Sequence, residues 1–312
     1  METFKNWSIL APELREHSLS YYRSEELFKY AQCSALCNSE IQRFNTIAPK
    51  LVYLEKIENG DDGMMIDLEY NRWRGYSLFF VKIDEKRYKI VSSRADLENP
   101  KKFKIFEGNA HEAALQYLAK RYKNVKTGKT EKFNNKSGKW PVEWRHISAI
   151  CRIESWSIRL NTSMYEKCMN ALKESPNIKK LDLWTEHNDP GEVTLPSEFF
   201  KSKLFKQLDK GKFLIKSFIQ DEDFLESQAS FLLLRCDTIS NTAINRKIQN
   251  WYDGRDGDFA INFITERSTD DVLNNLPFAQ RRQNEWTIRR PDGCYGSAQV
   301  TNGYVSFRFK CR

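Results

Sequence analysis

The chain has 312 residues and a mass of 36.8 kDa, with 40% apolar and 29% charged residues. No apolar run reaches the ~18 residues that a membrane helix needs, and this composition excludes a wholly disordered chain, a fibre and a small disulfide scaffold. The net charge of +8 is concentrated: nine Lys/Arg stand against two acids between Lys120 and Arg145, and seven against two between Arg281 and Arg312.

In chain order, the first element is a short helix from Pro12 to Tyr22. Pro12 suits a first helical position and Glu13 favours the first turn. Ser24 caps a second helix whose apolar stripe is Leu27, Phe28 and Ala31. A third starts near Ser34, with Cys37, Ile41 and Phe44 on one face. Pro49 closes this region. The opening residues hold an early acid and no apolar core, so no secretory leader is expected.

Strands are predicted at Met64–Tyr70, Tyr76–Ile83 and Arg87–Ser92. The last two are joined by a tight Asp84-Glu85-Lys86 turn. His111–Tyr122 reads as an amphipathic helix with Ala114, Leu115, Leu118 and Tyr122 on its apolar side. The basic segment follows: Lys120, Arg121, Lys123, Lys126, Lys129, Lys132, Lys136 and Lys139. From Lys126 to Trp140 it is rich in Lys, Asn, Gly and Thr, so an exposed, poorly ordered loop is expected. Such a segment binds nucleic acid or an acidic protein surface if it binds anything.

From residue 150 onward, strand-like and helix-like runs alternate. The strands are Ser155–Leu160, Ile178–Trp184, Phe213–Ile219, Phe231–Arg235, Asp258–Ile264 and Glu285–Arg289. Between them lie helices at Ser163–Leu172, Ser197–Leu208, Ser240–Tyr252 and Thr269–Leu276. One strand and one helix per 20–30 residues is the pattern of a leucine-rich-repeat-like solenoid. No G-x-G-x-x-G or P-loop supports a doubly wound nucleotide fold instead. The expected buried positions are Ile158, Leu181, Leu183, Ile215, Leu233 and Ile261. At the end, Trp286–Arg289, Gly296–Val300 and Tyr304–Lys310 read as antiparallel strands, with an Asn302-Gly303 hairpin turn.

Chemistry-bearing motifs are absent. The seven cysteines (33, 37, 151, 168, 236, 294 and 311) form no disulfide or zinc framework, and reduced, buried thiols are expected. His17, His111, His146 and His187 stand in no catalytic signature. Asp253-Gly-Arg-Asp-Gly-Asp258 lacks the glycine and glutamate positions of a calcium loop. Hence no catalytic, cofactor or metal residue is assigned, and an enzyme is not expected.

The opening, Trp7-Ser-Ile-Leu-Ala-Pro-Glu-Leu-Arg-Glu-His-Ser-Leu-Ser-Tyr-Tyr22, resembles an F-box. Leu10, Glu13, Leu14 and Leu19 fit its first part, and Leu27 and Cys33-Ser34 its later positions. Ala11 stands where Pro is usual, and Ser18 where a branched apolar residue is common. Ile239-Ser-Asn-Thr-Ala-Ile-Asn-Arg-Lys-Ile-Gln-Asn-Trp-Tyr-Asp-Gly254 is similar to the helix-Trp-x-x-Gly element of the F-box-associated regions in the expanded nematode F-box families.

The resemblance implies an α/β chain: an N-terminal three-helix F-box-like unit (1–48), then β-hairpins, a helix and the basic loop (49–149). A leucine-rich-repeat-like solenoid with a C-terminal antiparallel β cap (150–312) completes it. The implied function is substrate recognition in a Skp-cullin-F-box ubiquitin ligase, inside the cell, in cytoplasm or nucleus. Leu10, Pro12, Leu14, Leu19, Leu27 and Phe28 would dock a Skp-family adaptor, and a cullin scaffold and an unknown protein target complete the partners. No cofactor and no membrane are implied. Two alternatives stay open: a repeat-fold interaction module without adaptor binding, and nucleic-acid binding through residues 120–145.

Overall fold

In the computed structural model, the described residues are 49–57, 62–71, 74–91, 105–123, 130–137, 153–175, 177–185, 193–264, 269–273, 276, 279–282, 285–301 and 304–311, with positions 15, 18, 30, 33, 34 and 37 before them. The chain divides into two compact units, Met1–Ser155 and Trp156–Arg312.

The first unit is built on an antiparallel meander. β1 (Leu51–Ile57), β2 (Gly63–Asn71), β3 (Arg74–Asp84), β4 (Arg87–Val91) and β5 (Ile105–Glu107) pair in sequence. The turn between β3 and β4 is held by the Asp84 carboxylate, which accepts from Lys86 N at 2.9 Å and from Arg87 Nε at 2.7 Å. β6 (Lys132–Asn135) lies parallel to β1. Parallel partners need a crossover connection, and α1 (Ala110–Lys123) lies within it. Asn109 caps α1 by accepting from His111 N at 2.9 Å and Glu112 N at 3.2 Å. The helix packs on β2 and β3, burying Ala114 and Leu118, with Tyr117 5.8 Å from the Phe80 ring. Val52, Leu54, Ile66, Leu68, Phe80 and Phe133 fill that side of the sheet. A smaller cluster of Phe79, Val81 and Val91 occupies the other. Gly63 is required by a close approach, since a Cβ there would lie 2.3 Å from the Phe80 carbonyl oxygen.

Residues 130–137 are not the exposed loop that composition predicts. Thr130, Phe133, Asn134, Asn135 and Ser137 are buried. The ladder to β1 satisfies the backbone, and Asn135 Oδ1 accepts from Ser137 N at 3.1 Å and Ser137 Oγ at 2.7 Å. The backbone ladder and the Asn135–Ser137 bonds satisfy most of these buried polar groups, Asn134 Oδ1 being the exception, and a strand forms around the single large apolar residue Phe133.

In the second unit the strands are β7 (Ser155–Leu160), β8 (Lys180–Thr185), β9 (Thr194–Leu195), β10 (Lys210–Ser217), β11 (Phe231–Arg235), β12 (Phe259–Phe263), β13 (Ala279–Arg282), β14 (Glu285–Arg289), β15 (Tyr295–Thr301) and β16 (Tyr304–Lys310). Their order is β13-β14-β15-β16-β12-β11-β10-β8-β7, with β9 beside part of β10. β8, β10, β11 and β12 are parallel; β12, β16, β15, β14 and β13 are antiparallel. The helices are α2 (Tyr165–Lys173), α3 (Ser197–Lys201), α4 (Lys203–Lys206), α5 (Asp221–Glu226), α6 (Asn241–Tyr252) and α7 (Thr269–Leu273).

The expected α/β arrangement, an N-terminal three-helix unit followed by a leucine-rich-repeat-like solenoid with a β cap, is overturned. Strands dominate, and the sheet is mixed. A solenoid needs every unit to repeat the same parallel step. Here the first unit is a meander, β9 and two short helices interrupt the step from β8 to β10, and the last strands join by connections too short for parallel crossovers. The predicted helix at Ser197–Leu208 is broken at Ser202, whose backbone is extended and whose hydroxyl accepts from Phe205 N to start α4.

The core of the second unit lies on one side of its sheet. Trp156, Ile158, Leu160, Leu181, Leu183, Phe213, Ile215, Ile261 and Phe263 are buried there. Phe199, Phe200 and Phe205 from α3 and α4 ring Phe213 at 5.6, 5.9 and 6.1 Å. Phe224 of α5 meets Phe263 at 6.4 Å, and Trp251 of α6 meets Phe309 at 4.8 Å. Leu233 is a register error in the sequence reading: Leu232 and Leu234 point inward and Leu233 is half-exposed.

The Trp-x-x-Gly element has a plain physical role. Ser240 Oγ caps α6 by accepting from Ala243 N at 3.0 Å. Trp251 is fully buried, the Arg290 guanidinium lies 5.2 Å from its ring, and Arg290 Nη1 donates to its carbonyl at 2.9 Å. Gly254, at φ +74°, ends the helix in the conformation that glycine best tolerates.

Cys294 and Cys311 form a disulfide with Cα atoms 4.3 Å apart, correcting the expectation of reduced thiols throughout. The β15–β16 ladder pairs Tyr295 with Lys310, which brings the next residue on each strand into bonding range.

Candidate interaction surface

Helices cover one face of the second sheet, and the strand sequences set what the other face carries. Along β10, Lys-Gly-Lys-Phe-Leu-Ile-Lys-Ser alternates so that Gly211, Phe213, Ile215 and Ser217 are buried. Lys210, Lys212, Leu214 and Lys216 point outward. β8 presents Lys180, Asp182 and Trp184, β11 presents Phe231, Leu233 and Arg235, and β7 adds Arg159. On the antiparallel side, β16 contributes Arg308 and Lys310, β15 Tyr295, and β14 Glu285 and Arg289. Leu214 is 40% exposed and Tyr295 42%. These outward positions hold nine basic and two acidic residues, whereas the six helices hold seven basic and eight acidic. The surplus of positive charge in this unit therefore sits on the open face.

Register sharpens the picture. Lys210 is paired across the ladder with Lys180, and Lys216 with Arg235. Like charges at directly paired positions destabilise a sheet. Lys212, by contrast, sits directly opposite Asp182 on β8, and among the described residues no ion pair engages Lys180, Lys210 or Arg235. The aromatic planes are partly occupied: the Arg159 guanidinium lies 5.7 Å from the Trp184 ring, and the Lys216 ammonium 5.9 Å from Phe218.

The residues singled out from sequence fall elsewhere. Leu10, Pro12, Leu14, Leu19, Leu27 and Phe28 lie outside the described residues. Lys126, Lys129 and Lys139 do too. Lys120, Arg121 and Lys123 end α1, and Lys132 lies in β6, 5.9 Å from the Tyr53 ring. Lys136 pairs with Glu55 at 3.8 Å and Lys50 with Glu131 at 3.7 Å. The structure thus divides the described basic segment between a helix and a strand. The lysines of β10 were missed, although their alternation with Gly211, Phe213 and Ile215 was the signal.

Other sites are explained by the fold. A cleft of about 440 Å³ beside residues 225–229 and 255–259 includes Lys247. This ammonium is committed: it donates to the carbonyls of Ser227 at 2.8 Å and Leu225 at 3.1 Å, and lies 3.1 Å from Asp256 Oδ2. Burial pushes the Cys168 thiol well above the ordinary range, away from a reactive thiolate. The grouping of Asp292, Cys294 and Cys311 contains the disulfide, and Asp292 instead binds Arg290 and Cys294 N. Among the described residues no helix is long and apolar enough to cross a membrane.

In the second unit one sheet face is packed with the core, and the other is open, cationic and dotted with apolar side chains. A protein of Caenorhabditis elegans named as an uncharacterized F-box protein is 20% identical to this chain over 270 residues, covering 80% of this chain and 67% of that protein. The likeness supports an F-box relation. No family model matches the chain, and no solved structure matches it.

Proposed function

We propose that this protein is the substrate-recognition subunit of a Skp-cullin-F-box ubiquitin ligase. Residues 1–48 dock the Skp-family adaptor, and the second unit holds the protein target. The observation that carries this reading is the similarity to an F-box-named protein across 80% of the chain. The F-box-like residues between Leu10 and Phe28 and the open sheet face support it. Such a receptor performs no bond chemistry. It contributes proximity and orientation, which convert a bimolecular transfer into an effectively intramolecular one.

Adaptor binding is the test. The full chain should retain a Skp-family adaptor at micromolar concentration, with Ala11 and Ser18 weakening the contact relative to a typical F-box. Leu10→Ala with Pro12→Ala should abolish it, because small interfaces depend on a few central anchors. Absence of adaptor binding by the wild type at such concentrations, or equal binding by the double variant, overturns the reading.

A further inference from the structure

The geometry points to an acidic protein segment, with apolar side chains between its carboxylates, as the ligand of the open face of the second unit. This rests on the receptor reading and goes beyond it by naming the chemistry of the target. The two like-charge pairs, Lys210 with Lys180 and Lys216 with Arg235, bracket β10. Each pair repels itself in the isolated sheet, and a carboxylate placed between its members relieves the repulsion. Lys210 and Lys216 are six positions apart, at most about 20 Å of strand, with a register break against β11 between Phe213 and Lys216. Between them the face offers Lys212 and Leu214, with half-exposed Leu233 on β11. An extended ligand lying along β10 would therefore carry acids about six residues apart and apolar side chains between them.

A polyanion without apolar groups would use only half of this surface. Nucleic acid recognition on a sheet relies on aromatic planes that stack bases. Here Trp184 and Phe218 lie beside cations, Phe231 sits opposite Lys210 at one end, and the apolar residues between the two like-charge pairs are Leu214 and Leu233. Charge complementarity and the leucines together favour protein.

The test uses the full chain and three fluorescein-labelled probes at 150 mM salt. One is a twelve-residue peptide with two Glu pairs six residues apart and leucines between them. The second replaces those leucines with serine. The third is a twelve-nucleotide thymidine strand. The leucine peptide should bind at least tenfold tighter than either other probe. Lys210→Glu/Lys212→Glu/Arg235→Glu should weaken it at least tenfold, while the helix-face control Lys173→Glu/Lys201→Glu/Lys203→Glu stays within twofold. Leu214→Ser, which keeps every charge, should narrow the gap between the two peptides and guards against a triple variant that fails to fold.

Equal or tighter binding of the thymidine strand makes the face a nucleic-acid or general polyanion surface and overturns the proposal. So does no binding of the leucine peptide, or an equal loss in the helix-face control. The adaptor assay is scored on the same proteins. Loss of adaptor binding with peptide binding intact refutes the receptor reading alone, and the reverse refutes the ligand assignment alone.

Discussion

Lys247 offers the sharpest test of how the second unit is held together. It sits on α6 with only 8% of its side chain exposed, and its ammonium serves two carbonyls and the Asp256 carboxylate. It therefore ties the C-terminal end of α5 and the residue after it to the turn after α6. Lys247→Met keeps most of the aliphatic stem and its packing but removes all three interactions. Removing one partner of a buried ion pair costs about 3–5 kcal/mol. The Asp256 side chain is 25% exposed and regains water, which moves the expected loss to the lower end. The two carbonyls add part of their desolvation cost, about 1–3 kcal/mol per unsatisfied buried group when no water reaches it. The expected loss is therefore about 4 kcal/mol. Urea titration read by hydrogen exchange of peptides spanning 231–252 isolates this unit from the other. Adding Asp256→Asn should recover part of the loss, since residues in one network couple. A loss below about 1 kcal/mol, or full additivity of the two changes, refutes the tie.

Leu183→Ala, at a fully buried position, should cost about 2–5 kcal/mol, whereas Leu233→Ala should cost under about 1 kcal/mol because its side chain is half-exposed; equal losses in thermal unfolding would put the β11 register in error. Thiol titration in denaturant should find two fewer reactive thiols before reduction than after it. Replacing Cys294 and Cys311 by serine should remove about 2–4 kcal/mol, because the crosslink spans 17 residues and constrains the unfolded chain; full reactivity before reduction would show that the bond is absent. The Arg87 hydrogen bond holds the Asp84 carboxyl below its ordinary 3.8. Its stabilisation is therefore present above the unfolded value and lost as pH falls through the lower folded one. Asp84→Asn should flatten that acid limb of a stability–pH curve, and an unchanged limb would remove the turn from the account.

What could be read from sequence followed the strength of each local pattern. Asp84-Glu85-Lys86 between two apolar runs gave the β3–β4 hairpin its place, because turn chemistry and alternation agree there. Phe231-Leu-Leu-Leu has no alternation, so its register depends on β10 and β12 and was misread by one residue. Lys132-Phe-Asn-Asn looks like a loop because its burial is compensated by a partner strand about eighty residues away that no local window contains, with the short-range Asn135–Ser137 hydrogen bond as the local sign. Alternating strands and helices suggested repeats, but a mixed sheet begins with the same local pattern. The pairing of Cys294 with Cys311 and the juxtaposition of Lys180 with Lys210 both exist only through strand register. The candidate surface was hidden for that reason, although every residue in it was in view.

The position of β16 has a consequence for synthesis. It inserts between β12 and β15, so β13, β14 and β15 leave the ribosome before the strand that joins them to the parallel layer. Until residues 304–310 emerge, β12 presents a bare edge rich in Phe and Ile, and the emerging hairpins present another. Two unpaired edges on one nascent chain invite pairing with the wrong neighbour. Completion is non-local as well: Phe309 must reach Phe259, 4.7 Å away in the finished sheet and fifty residues back along the chain. A nascent chain from which residues 304–310 have not yet emerged should therefore recruit chaperones more strongly than one from which they have.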